Sequence, residues 1–309
     1  MQWPEEVTEV MASGRELTEL RAIGKWTARI IQDWLEDPPE LPDPPEPRAG
    51  FMTLAHARKT IEEHPEWREA LRGDLQMHTT WSDGHESIRD MADHAASQGH
   101  EYTAITDHSK GLPIANGMDE EELLRQGGEI DQVNEQLASE GSGFRLLRAI
   151  EMNLSPEGDG DMDPDVLAGL DLVLGAFHSK LRVTDDQTAR YVAAVRNPTV
   201  HVLAHPRTRR WGSRKGLYAD WPKVFEAAAE AGTALEIDAH AERQDLQVDV
   251  LEVARETPGL WISIGTDAHY PHELDFIDIG LAAAIESGFP RERILNFLPR
   301  DQLLAKLSG

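Results

Sequence analysis

The chain contains no cysteine. Disulfides and thiolate metal sites are therefore excluded, and any metal must be held by His, Asp and Glu. Long apolar runs are also missing: no stretch approaches the ~20 residues of a membrane span. The N-terminus is polar and acidic from Glu5 onward, unlike a signal peptide. A cytoplasmic location with no membrane partner is expected. Positive charge is scarce, with 30 Lys and Arg against 56 Asp and Glu and a net charge of −26. The pI is about 4.8. Such a surface favours solubility and repels nucleic acid at long range.

What is present suffices for one large domain and a small one, with 309 residues that are 40% hydrophobic. Residues 1–36 read as helical. Their centre, Leu17 to Ile31, has a helix, a tight turn at Ala22-Ile23-Gly24 and a second helix. It looks like a helix-hairpin-helix, a motif that holds a DNA phosphate on backbone N–H groups, with Lys25 and Arg29 close by. Ala22 stands where the usual hairpin has its first glycine, and the surrounding acids oppose tight DNA binding. A helical pair that only packs against protein is the other reading. Residues 37–50 contain DPPELPDPPEP and read as a proline-rich linker. Residues 51–72 read as connecting helices.

From Gly73 to the end at 309, strands and helices alternate. The strand candidates are Asp74–His78, Tyr102–Asp107, Phe144–Met152, Leu170–Phe177, Val200–Ala204, Ala234–Asp238 and Trp261–Thr266. Several are near-continuous apolar runs, as in strands buried on both faces of a parallel sheet. Helical stretches at Ser87–Gln98, Asp119–Glu140, Asp186–Val195, Trp221–Ala231 and Asp245–Thr257 separate most of them. The pattern predicts an α/β fold of the TIM-like barrel type with seven strands.

Chemistry-bearing residues recur where these strands end. His78 and Asp83 follow the first, Asp107 and His108 the second, and Glu151 closes the third. His178 follows the fourth and His205 the fifth; Glu236, Asp238 and His240 lie at the sixth, and Asp267 and His269 at the seventh. In a parallel barrel these ends open on one face, where such barrels keep their active sites. A single His there is ordinarily a packing residue. Five of them with several carboxylates conflict electrostatically unless cations separate them. Without Cys, that set suits Zn²⁺, Mn²⁺ or Fe²⁺.

The stretches GDLQMHTTWSDG, AITDHS, IEMN, FHSK, HVLAHP, ADWPKVFEAA, EID and GTDAH resemble the PHP (polymerase and histidinol phosphatase) superfamily from about Gly73 to Leu307. The likeness is to the C-terminal domain of bacterial family X DNA polymerases and to stand-alone PHP proteins. It implies a distorted (β/α)7 barrel and two or three divalent ions. One would sit on His78, Glu151 and Asp267, a second on Glu151, His178 and His205, and a third on Asp83, His108 and His269. Gln76 replaces the first His of the family's opening His-x-His. The candidate catalytic residues are Glu151, Asp267 and His108, with His108 or an associated water as proton donor to the leaving group. Asp107 is a candidate to orient a ligand from behind, and Asp238 lies close by without a defined role.

The loop PRTRRWGSRKG follows His205 and is the most basic stretch of the chain. Arg207, Arg209, Arg214 and Lys215 are candidate substrate ligands, since guanidinium forks match phosphate oxygens. The alternative is a solvated loop paired with surface acids. Ser109–Met118 reads as a flexible lid. The function expected from all this is hydrolysis of a small phosphomonoester, histidinol phosphate or similar. A 3′–5′ exonuclease acting on DNA 3′ ends is the alternative, and a non-catalytic DNA-end adaptor working through residues 17–31 is the second. The residues before Gly73 are too few for a polymerase domain.

Overall fold

The computed structural model describes residues 1–308. Seven strands follow in order: β1 (Gly73–Met77), β2 (Tyr102–Ile105), β3 (Arg145–Asn153), β4 (Leu172–Ala176), β5 (Val202–Leu203), β6 (Ala234–Asp238) and β7 (Ile262–Gly265). Each pairs in parallel with its sequence neighbour. β1 and β7 meet along a looser seam. His78 N donates to Ala268 O at 2.8 Å and Asp267 N to Gln76 O at 3.1 Å. The Asp74 carboxylate accepts from Thr266 N at 3.1 Å and Thr266 Oγ1 at 2.5 Å. The result is the nearly closed (β/α)7 barrel that the alternation of elements predicts.

Helices α5 (Ile88–Ser97), α6 (Glu120–Ser139), α7 (Pro164–Leu167), α8 (Thr188–Val195), α9 (Trp221–Ala231), α10 (Val248–Arg255) and α11 (Ile277–Glu286) follow the seven strands in turn. α12 (Arg300–Leu307) ends the described chain. Their starts are written in the sequence: Ser87 caps α5, and Asp119 caps α6 with Glu122 returning the bond. β1, β2, β4, β5, β6 and β7 are buried along their whole length. β5 is two residues long where five were expected. The His201 ring explains part of this, since its Nδ1 accepts Val173 N at 2.9 Å in place of backbone.

The N-terminal segment holds α1 (Val7–Ala12) and α2 (Lys25–Glu36) around a small core of Val10, Leu17, Leu20, Ile23 and Ala28. Ala22 has φ +61°, a left-handed conformation in the place that a helix-hairpin-helix gives to glycine. α3 (Leu54–Glu63) and α4 (Pro65–Ala70) lie against α11, with Leu54 and Ala57 packed on Phe276, Ile279 and Ala282. The linker is not free along its whole length. Gly212 N donates to Pro47 O at 2.9 Å. Arg209 donates to Ala49 O at 2.8 Å, and Met52 and Gln244 exchange bonds of 2.9 and 2.8 Å.

Candidate metal centre

The residues singled out at the strand ends converge on Glu151, which is fully buried near the end of β3. His205 Nε2 and His178 Nε2 lie 2.8 and 3.0 Å from its Oε1. Its other oxygen has Gln76 Nε2 at 3.0 Å, His78 Nε2 at 3.3 Å and His108 Nδ1 at 3.5 Å. His78 Nε2 also lies 2.9 Å from Asp267 Oδ1. Asp83 Oδ1 has His269 Nε2 at 3.3 Å, His108 Nε2 at 3.4 Å and His78 Nδ1 at 4.0 Å. The His78 ring stacks between those of His108 and His269, each with its centroid 4.5 Å away.

Three groups have donor atoms within 4.8 Å of one another: His78, Glu151 and Asp267; His78, Asp83, His108 and His269; and His108, Glu151 and His178. The first matches the set implied by resemblance. The second adds His78 to the expected trio. The third has His108 where His205 was expected, although His205 still touches Glu151.

Local backbone explains the convergence. Six of the seven non-glycine residues with positive φ lie in loops that follow strands: Asn116, Lys180, His205, Thr208, Gln244 and Asp267. Two of them, His205 and Asp267, are themselves candidate ligands, and such strain concentrates at functional sites. Gly84 lets the turn after β1 close on itself, since a Cβ there would lie 2.5 Å from the His78 carbonyl carbon. That turn carries Asp83 and is held from below by Asp107. The Asp107 carboxylate accepts Thr79 N at 2.8 Å, Thr79 Oγ1 at 2.6 Å, Ser82 Oγ at 2.5 Å and Gln126 Nε2 at 2.6 Å. No ring nitrogen is among these partners, so Asp107 positions a loop and not a histidine.

Electrostatics follow from burial and crowding. Burial alone would raise the Glu151 carboxyl, but the surrounding His108, His205 and His178 hold it well below the usual range. Burial likewise opposes ionisation of Asp83, and His269, His78 and His108 outweigh it, bringing the carboxyl to about 2. Burial pushes the His108 ring down to about 3 and lowers His205 as well, which leaves both rings neutral. Asp238 and Glu236 lie deeper, and burial beside Asp267 raises both.

The donors fit a metal. His78 Nδ1, His108 Nδ1, His178 Nε2 and His205 Nδ1 are buried without a hydrogen-bond partner, as is Gln76 Oε1. Neutral imidazole and carboxylate oxygens sharing Glu151 are the set that borderline divalent cations select.

The basic loop divides. Arg209 is 2% exposed, stacks on Phe51 at 3.9 Å and bonds Ala49 and Gln247, which makes it a structural strut. Arg210 pairs with Glu242 at 2.9 Å and Lys215 with Glu46 at 3.6 Å. Arg207 donates to Lys215 O at 3.3 Å and Arg214 to Thr208 O at 2.9 Å, and neither has a carboxylate partner. Arg207, Arg209, Arg214 and Lys215 line a cavity of about 1050 Å³ walled by Glu46, Pro47 and residues 49–53, and none of the eight candidate metal ligands lines it. The expected lid is fastened at both feet: Ser109 Oγ and Gly111 N donate to Asp161, and Met118 N to His108 O at 2.8 Å. Its tip residue Ile114 is 92% exposed.

Three residues escaped the sequence reading. Asn153 Oδ1 lies 3.2 Å from His178 Nδ1, and Glu273 accepts His269 N at 2.8 Å. Arg243 lies 2.8 Å from Asp267 Oδ2. Arg243 belongs to the loop after β6, so the strand-end rule that found the histidines could have found it.

A parallel seven-stranded barrel with clustered His, Asp and Glu at its C-terminal face defines a TIM-like barrel with donor groups that could hold several metal ions. Its fold is shared with a solved phosphatase, and its sequence is similar to a polymerase/exonuclease and to probable phosphatases. No family model matches it. It is 40% identical over 227 residues to the DNA polymerase/3′-5′ exonuclease PolX of Bacillus subtilis (strain 168), covering 73% of this chain and 39% of that protein. It is 29% identical over 241 residues to a probable phosphatase of Edwardsiella ictaluri (strain 93-146), covering 74% of this chain and 91% of that one. The histidinol phosphate phosphatase of Lactococcus lactis subsp. lactis Il1403, solved with zinc, L-histidinol and phosphate, superposes with a TM-score of 0.53 at 16% identity, covering 71% of this chain and 94% of the other.

Proposed function

We propose that the chain is a metal-dependent phosphoesterase and that its preferred substrate is a small phosphomonoester. The observation that carries this reading is the pair of Glu151 oxygens shared among His78, His108, His178 and His205, with Asp267 and Asp83 on either side. His78, Glu151 and Asp267 would hold one ion, His108, Glu151 and His178 a second, and Asp83, His108 and His269 a third. Divalent ions bound there supply Lewis acidity toward a phosphoryl oxygen and acidify a coordinated water. Glu151 sets the spacing of the groups because its two oxygens face different histidines. Asn153 and Glu273 fix the rings of His178 and the backbone of His269. His108 belongs to two of the three groups, so its role is that of a ligand, and the leaving-group proton must come from another donor.

A single phosphate suits this surface better than a strand. Of the five loop cations, Arg209, Arg210 and Lys215 are engaged by the protein itself, which leaves no continuous basic track. No helix among the described residues is long and apolar enough to cross a membrane. The second reading, 3′–5′ exonuclease activity on DNA, is favoured by the higher identity to the polymerase/exonuclease relative.

The test is kcat/KM for a panel of phosphomonoesters and for a 3′-labelled single-stranded oligonucleotide, with Mn²⁺ and with Zn²⁺, at two ionic strengths. Monoesters should be the better substrates, and any DNA cleavage should hold or rise with added salt as repulsion is screened. Efficient 3′–5′ digestion that weakens with salt, with monoesters barely touched, would establish the exonuclease instead. Hydrolysis of neither class by metal-loaded protein would leave the adaptor reading.

A further inference from the structure

Among the described residues, Arg243 is the one Lys or Arg in direct contact with the carboxylates of the centre. Its Nε lies 2.8 Å from Asp267 Oδ2 and 3.5 Å from Asp238 Oδ2. The other Asp267 oxygen faces His78 at 2.9 Å, so this carboxylate has the histidine cluster on one side and the guanidinium on the other. Nε makes the closest approach to both carboxylates. Among the described residues neither Nη1 nor Nη2 donates a hydrogen bond, although the side chain is only 23% exposed. A guanidinium carries five N–H donors, and four of them are left over beside a centre built from anion-seeking groups.

The backbone under Arg243 is fixed. Arg243 N donates to His240 O at 2.8 Å, and Gln244, with φ +47°, clamps the loop to Met52 through its reciprocal pair of bonds. The head group is therefore pre-positioned and is not a mobile surface arginine. Its surroundings add to the case. Arg214 is lowered to about 10 by burial and then by the neighbouring Arg243, Arg210 and Arg182. Arg182 and Arg214 donate only to the backbone carbonyls of Ser213 and Thr208. A protein with 56 acids thus leaves Arg182 and Arg214 without a carboxylate partner. A residue needed only to neutralise Asp238 and Asp267 would turn its fork to face them, since paired N–H donors match a carboxylate bidentately.

We propose that Arg243 binds the phosphoryl group of the substrate through Nη1 and Nη2 while its Nε holds Asp267 in place. The proposal rests on the phosphoesterase reading and names a substrate contact within it. The ligand class is a phosphate monoanion or dianion. A guanidinium fork spans two phosphoryl oxygens, and lysine supplies the charge without the fork.

The experiment uses the full chain loaded with Mn²⁺ or Zn²⁺, as wild type, Arg243→Lys and Arg243→Gln. Four quantities are read: metal content, the thermal shift produced by inorganic phosphate, Ki for inorganic phosphate, and kcat and KM for p-nitrophenyl phosphate. Arg243→Lys is expected to keep its metal while Ki for phosphate rises by about tenfold or more and kcat/KM falls by about a hundredfold. The phosphate-induced thermal shift should shrink in parallel, and methylguanidinium should restore part of the activity of Arg243→Gln. A Ki within about twofold of wild type in both variants would show that Arg243 serves Asp267 alone, and the proposal would fall. Loss of metal from Arg243→Lys together with the phosphate response would also overturn it, in favour of a positioning role. Failure of the underlying reading looks different: metal-loaded wild type would neither hydrolyse esters nor respond to phosphate.

Discussion

At the scale of single residues, the centre depends on one carboxylate. Glu151→Gln keeps the shape of the side chain but removes the charge that faces four imidazoles. Metal content should fall, and turnover should drop by about a hundredfold or more, since outer partners of a metal already cost about 10–100-fold. Mass spectrometry for metals and kcat on a monoester check this; full metal with near-normal turnover would remove Glu151 from its bridging role. A second residue-scale expectation concerns His100, which is not among the candidate ligands. It is 6% exposed, both ring nitrogens lack partners, and burial lowers it to about 4. The folded state then prefers the neutral ring, while the unfolded chain takes up a proton below about 6.5. Stability from this site is complete above pH 6.5 and is lost as pH falls toward 4, by about 3 kcal/mol in all. His100→Leu should flatten that part of the stability–pH curve in denaturant titrations. The clustered histidines were legible because strand-end position is a one-dimensional signal. Asn153 and Glu273 were not, because their partners are 25 and 4 residues away and nothing in spacing distinguishes such pairs.

At the scale of elements, strand order and barrel type could be read from apolar runs alternating with capped helices. Lengths could not: β5 shrinks to Val202–Leu203 because a side chain, His201, competes for a ladder bond. The linker was read from its prolines as a spacer. Its C-terminal part is fastened because Arg209, Gln244 and Gly212 offer bonds that composition does not reveal. The N-terminal turn supplies a test of its own. Ala22 holds a left-handed backbone in a position suited to glycine. Ala22→Gly should stabilise the segment by about 1 kcal/mol, visible as slower proteolysis within residues 1–36 and with hydrolysis unchanged. Faster cleavage would mean that the turn does not keep this conformation in solution.

At the scale of the whole molecule, net charge and site charge run in opposite directions. A chain of net charge −26 surrounds a centre that, on the phosphoesterase reading, must attract an anion. At ~0.15 M salt the Debye length is about 8 Å, so distant acids are screened and the local donors decide binding. The seam between β1 and β7 has a further consequence. Two backbone bonds and the Asp74–Thr266 contacts join the first and last staves, and His78 stands on one edge with Asp267 on the other. Ions held by both would act as a clasp across the joint, so that cofactor and architecture become one mechanical unit. Deuterium uptake should then report occupancy: chelation should speed exchange at 77–79 and 266–268 by about tenfold or more, while β4 changes little. Uniform acceleration across all strands would argue against a clasp. If the joint behaves this way, the barrel is a hoop whose buckle is its reagent, and an unloaded chain is open at the place where it would later do chemistry.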